Sequence, residues 1–118
     1  MWARGPLLLL GLWLSACGGP TAPSVSLSIT YRVEGGTFNP TASMTYSGSG
    51  NSTIQSSRRT LPWTYTFTAA RGGFLYISAQ NDSEFGCVRV TIHQGETQLQ
   101  SAQSCGAYVI ATVSDTAR

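Results

Sequence analysis

The chain has 118 residues, seven basic and five acidic side chains, and a formal net charge of +2 at pH 7. Every basic residue is an arginine and none forms a basic stripe. This excludes Schiff-base chemistry, a phosphate-binding P-loop and the counterion-release affinity that drives nucleic-acid binding. Charged residues make up only 10% of the chain, and the abundant serine and threonine suit one domain of β-sheets with hydroxyl-rich exposed faces.

In chain order, residues 1–16 read as a lipoprotein signal peptide. Arg4 and the amino terminus are positive, Leu7 to Leu10 with Leu12, Trp13 and Leu14 form an apolar core, and Ser15 and Ala16 are small. The apolar run reaches about half of the roughly 20 residues that a membrane span needs. Leu14-Ser15-Ala16-Cys17, followed by Gly18-Gly19-Pro20, has the form of a bacterial lipobox. In that motif the cysteine thiol is alkylated by a diacylglyceryl group and becomes the first residue of the mature chain. Cys17 is therefore expected to carry the membrane anchor and to place the domain in the cell envelope, outside the cytoplasm. Gly18 gives no signal for inner-membrane retention, so in a host with an outer membrane that membrane is the expected home. Residues 17–23, rich in glycine and proline, read as the lipidated cysteine and a flexible linker.

Residues 24–118 form the predicted domain, and its hydrophobic period is two almost throughout. Val25, Leu27, Ile29, Tyr31 and Val33 alternate with polar residues in a first strand ended by Gly35-Gly36. Thr41 to Ser47 reads as a second strand, Gly48 to Asn51 as a turn, and Asn51 to Arg59 as a weak third strand anchored by Ile54. Pro62 opens a fourth, in which Trp63, Tyr65 and Phe67 alternate with threonines. Phe74 to Gln80 is a fifth strand, with Leu75, Ile77 and Ala79 on one face, followed by a polar loop from Asn81 to Glu84. Val88, Val90 and Ile92 mark a sixth strand. Gln94-Gly95-Glu96 turns into a seventh from Thr97 to Ala102, and Gly106 to Ser114, apolar on both faces, reads as a central strand. No window has a helical period. Seven to eight short strands with frequent turns predict an all-β fold, an antiparallel immunoglobulin-like β-sandwich.

With Cys17 assigned to lipid, Cys87 and Cys105 remain as an even pair in an oxidising compartment, so a disulfide is expected across the hairpin centred on Gly95-Glu96. Closing that loop is worth about 3 kcal/mol in the chain-entropy model. No catalytic constellation can be assembled. His93 is the single histidine and falls on a polar strand face, no G-x-S-x-G elbow is present, and too few ligands exist for zinc. Asp82 and Glu84 lack the spacing of a calcium loop. No metal and no cofactor is expected apart from the covalent lipid. Candidate binding residues are Trp63, Tyr65 and Tyr76, with Arg58 and Arg59 just before them. Two readings stand for the aromatic row: a core stripe, the usual fate of such a row in a small sandwich, or an open platform for a glycan or lipid. The arginines read either as a solvated hairpin or as partners of an acidic group or lipid headgroup.

Several segments, in order, resemble the extracytoplasmic domain of the MmpS family: Ile29-Thr30-Tyr31-Arg32-Val33, Met44-Thr45-Tyr46, Leu61-Pro62-Trp63, Leu75 to Asn81, Val88 to Ile92 with Gly95, and Gly106 to Ala111. The resemblance spans roughly Val25 to Ser114. It implies a small β-sandwich outside the membrane, acting as an accessory of transporters of the resistance-nodulation-division type. MmpS proteins typically keep an uncleaved transmembrane helix where this chain has a lipobox, and no residue role is carried over from them. The expectation is a non-enzymatic accessory or binding module for a membrane transport partner. The alternative is an independent surface lipoprotein that binds a glycan or lipid through an aromatic sheet face. Cys17→Ser is expected to release the protein from membranes; fractionation that still finds it detergent-dependent and membrane-bound would contradict the lipobox reading.

Overall fold

A computed structural model describes residues 26–36 and 40–118. The predicted signal peptide, the lipidation site Cys17, the linker and Val25 lie outside the described residues. The strands are β1 (Ser26–Gly35), β2 (Thr41–Ser47), β3 (Thr53–Thr60), β4 (Trp63–Ala70), β5 (Phe74–Asn81), β6 (Cys87–Gln94), β7 (Thr97–Cys105) and β8 (Ile110–Thr116). They form two four-stranded antiparallel sheets, ordered β4-β1-β6-β7 and β3-β2-β5-β8. The fold is the expected all-β sandwich. Strands β1 and β4 in one sheet and β2 and β5 in the other interlock as strands B, E, C and F do in an immunoglobulin domain. The β6–β7 hairpin fills the sheet position beside β1 that the A strand takes there.

The period-two pattern explains the layering. Ile29, Tyr31 and Val33 of β1, Val88, Val90 and Ile92 of β6, Leu75, Ile77 and Ala79 of β5, and Ala42, Met44 and Tyr46 of β2 are all buried between the sheets. Most of the alternate residues are serine, threonine or charged and face outward, with Phe74 and Tyr76 of β5 as aromatic exceptions and Ser47 and Thr91 buried. Gly95, with φ of 60°, supplies the left-handed turn that a two-residue β6–β7 hairpin requires. That hairpin sets Cys87 opposite Cys105, and the two are joined as a disulfide.

Two expectations are corrected. The last strand is an edge strand beside β5, not a central one. Its pairing begins only at Ile110, so Tyr108 and Val109 belong to the preceding loop; Ala111 and Val113 face the core while Ile110 is exposed. Asn81 is no solvated loop residue but the buried end of β5. Its side-chain N–H groups donate to the backbone oxygens of Phe85 (3.2 Å) and Gly106 (3.1 Å), tying the β5–β6 loop to the β7–β8 loop.

One buried polar group bridges the sheets. Tyr31 is 0% exposed, and its hydroxyl lies 2.9 Å from Ser47 Oγ. Ser47 donates its proton to Phe74 O (3.3 Å), which makes Tyr31 the donor in the shared bond. The Tyr76 N–H, past the end of the β2–β5 ladder, donates to both Tyr31 Oη (3.2 Å) and Ser47 Oγ (3.0 Å). Burial raises the Tyr31 pKa above its ordinary value of 10.0, outweighing the hydrogen bond from the Tyr76 N–H that pulls it down. An unfolded chain therefore releases this proton at lower pH than the folded one. The stabilisation is complete below the ordinary tyrosine value and fades as pH rises through the folded value. Tyr31→Phe is expected to cost about 1–2 kcal/mol in urea denaturation at neutral pH. Its deficit relative to the parent should narrow above about pH 10; a deficit that stays constant there would contradict the bridge.

Candidate functional site

The predicted aromatic row is built by β4, an edge strand paired only with β1. Alternation turns Trp63, Tyr65 and Phe67 inward and Thr64, Thr66 and Thr68 outward. Phe67 is buried and the other two aromatics are half-buried. Tyr46 of the opposite sheet packs on Tyr65 (ring centroids 4.8 Å apart) and on Trp63 (5.1 Å), and Tyr31 packs on Phe67 (5.2 Å). Gly48 lets the β2–β3 turn close against this cluster. A Cβ there would lie 2.9 Å from Ile54 Cδ1 and 3.4 Å from Tyr65 Oη. Trp63 and Tyr65 thus belong to the core stripe, and the platform reading of this row is set aside.

What β4 offers is its backbone. Four strands are sheet edges: β3, β4, β7 and β8. Exposed edges invite pairing with another chain and are usually blunted by charge or by a bulge. β3 carries Arg58 and Arg59 and a bulge; β7 is bulged opposite Ile92 and His93; β8 carries Asp115, which is bridged to Arg118 at 3.0 Å. β4 has no charged residue, and its register with β1 is unbroken over eight pairs. Among the described residues it is the one edge with neither guard.

The two candidate arginines sit on β3, and both are exposed. Adjacent strand residues ordinarily face opposite sides, but the register shifts between Ala42 and Met44. Ser57 and Arg58 together oppose Ser43, while Arg59 opposes Ala42. Arg58 has φ of 50°, in the left-handed region that non-glycine residues avoid at roughly 1–2 kcal/mol. Its N–H donates to Ser43 Oγ (3.2 Å), and that hydroxyl in turn donates to Asp82 Oδ1 (3.1 Å). Asp82 also accepts from Thr41 Oγ1 (3.2 Å). The bulge is thereby tied to the β5–β6 loop. Neither arginine forms an ion pair among the described residues.

Tyr76 is separated from Trp63 and Tyr65. It lies on β5 in the other sheet and points outward, its ring stacked on Phe74 with centroids 6.1 Å apart and planes inclined by 16°. Phe74 is not among the candidate binding residues read from the sequence. The signal was present nonetheless: with Leu75, Ile77 and Ala79 on the core face, Phe74 and Tyr76 must share the opposite one.

His93 stands on the outer face of its sheet between Thr30 and Gln98. Among the described residues, no three His, Cys, Asp or Glu side chains converge as a metal site would require. Neither a protein-family model nor a curated protein matches the chain. The strained bulge makes its own prediction. Arg58→Gly is expected to leave stability unchanged or raise it by up to about 1 kcal/mol, whereas Arg59→Gly lowers it by about 0.5–1 kcal/mol. Equal losses in urea denaturation would contradict the left-handed geometry at Arg58.

Proposed function

We propose that this protein is a non-enzymatic, lipid-anchored envelope protein that acts as an accessory module for a membrane transport partner by adding a strand of that partner to β4. The observation that carries the reading is the unguarded β4 edge, set against three edges that carry charge or a bulge. Strand addition supplies affinity through main-chain hydrogen bonds, each worth about 0.5–1.5 kcal/mol net. The threonines facing outward from β4 are exposed and uncharged, so they set no electrostatic barrier to an incoming strand.

The lipobox and the ordered MmpS-like motifs support the compartment and the partner class, a transporter of the resistance-nodulation-division type. A lipid on Cys17 makes no helix-to-helix contacts inside the bilayer, so specific coupling would run through the extracytoplasmic domain. That places the burden of recognition on surfaces such as β4. What supports the non-enzymatic reading is the setting of His93, which on its sheet face is flanked by Thr30 and Gln98 rather than by an acid that could orient it as a base.

The test is native co-purification from the protein's own membranes. Thr64→Lys with Thr68→Lys adds charge to the edge and spares the Thr30–Thr66 hydroxyl contact of 3.1 Å. We expect the parent chain to bring down a large membrane protein, the double variant to lose it, and the melting temperatures to agree, since surface changes of this kind move stability within about 0.5 kcal/mol. Retention of the partner by a folded double variant, or isolation of the parent chain with no protein partner, would overturn the reading.

A further inference from the structure

The outer face of the β3-β2-β5-β8 sheet carries a second surface, distinct from the β4 edge. From β5, Phe74, Tyr76, Ser78 and Gln80 project from it at alternate positions. At about 6.8 Å per pair of residues this row extends for roughly 20 Å. The two rings at one end have nearly parallel planes, with centroids 6.1 Å apart, and Phe74 is 53% exposed. Beside the row runs a shallow trough of about 280 Å³, lined by Ser43, Thr45, Gln55, Ser57, Gln80 and Ile110 among others. Among the described residues, no charged side chain lines it.

We infer that this face binds a neutral oligosaccharide, laid along β5 with one sugar ring on Phe74 and Tyr76 and the following rings over the hydroxyl and amide rows. The chemistry selects the class. Aromatic faces take up apolar C–H surface, while hydroxyls and amides both donate and accept hydrogen bonds without carrying charge. A pyranose offers C–H groups on its ring faces and hydroxyls around its rim, and so meets both demands at once. Phosphorylated or sulfated ligands would call for arginine, and among the described residues no arginine lines the trough. An apolar lipid chain would leave the polar rows desolvated and unpaired.

The site is also held in place. The Tyr76 N–H is fixed by the buried Tyr31–Ser47 pair, which sets the backbone under the aromatic platform. Ser78 and Thr112 hydroxyls lie 2.9 Å apart across β5 and β8. Gln80 Nε2 donates to Tyr108 O (3.1 Å), which fixes the amide and leaves its oxygen available to a ligand hydroxyl. Little rotamer freedom remains to be lost on binding.

The experiment is calorimetric titration of the full lipidated chain in lauryldimethylamine oxide, a detergent without a sugar headgroup. The probes are cellohexaose, maltohexaose and laminarihexaose, with glucose and a heparin-derived hexasaccharide as comparisons. At least one neutral hexasaccharide is expected to bind. Phe74→Ala and Tyr76→Ala should each weaken it by about tenfold or more, and glucose should bind far more weakly. Phe74 is exposed, so Phe74→Ala keeps its fold and decides the matter if Tyr76→Ala does not. The Thr64→Lys, Thr68→Lys variant should bind sugar as the parent does, which separates this site from the β4 edge. No binding of any of the three at about 10 mM, unchanged affinity in Phe74→Ala, or tighter binding of the heparin fragment would overturn the inference.

Discussion

The Tyr31 hydroxyl is the constraint on which the rest of the sandwich depends. It reaches from β1 in one sheet to Ser47 and the Tyr76 N–H in the other, at the point where the β2–β5 ladder stops. Without it the Tyr76 N–H would keep only Ser47 as acceptor, and Ser47 would keep only that N–H as donor, in a region closed to water. A half-satisfied buried group costs more than an ordinary hydrogen bond contributes. The bridge therefore favours one alignment of the two sheets over the alternatives that a uniform alternation of apolar residues would tolerate.

That alignment distributes the aromatic residues. With Tyr31 held between the sheets, Phe67 packs on its ring and Tyr46 packs on Tyr65 and Trp63, which commits the inner face of β4 to the core. The aromatics of β4 then cannot serve as a surface platform, and what this strand presents outward is threonine and unpaired backbone. The same bridge fixes the backbone of Tyr76, whose ring is left outside beside Phe74. Two surfaces of different chemistry follow from one buried contact: an edge suited to another strand and a neutral face suited to a polyol.

Much of this was legible in the residues because side-chain period reports sheet faces directly. β1, β2, β4, β5 and β6 follow from alternation, and the cysteine pair follows from the hairpin between β6 and β7. Alternation says little about neighbours, however. Gly106 to Ser114 looks apolar on both sides, yet only Ile110 onward pairs, and then on one side alone. Whether a strand is central or an edge is a long-range property. The bulge at Ser57-Arg58 has no glycine to announce it, since an arginine takes the left-handed conformation there. Asn81 looks like a loop residue by type, and only the loop backbones it serves, at Phe85 and Gly106, explain its burial. By chemistry Tyr76 belongs with Trp63 and Tyr65, whereas sheet membership divides them.

β4 is the surface proposed to meet a protein partner. The most direct measurement is site-specific photo-cross-linking in the protein's own membranes, with a benzophenone side chain at Thr66 on β4 and, for comparison, at Thr112 on β8. A single large adduct is expected from Thr66 and none from Thr112. An adduct from Thr112 alone, or none from either position, would contradict it.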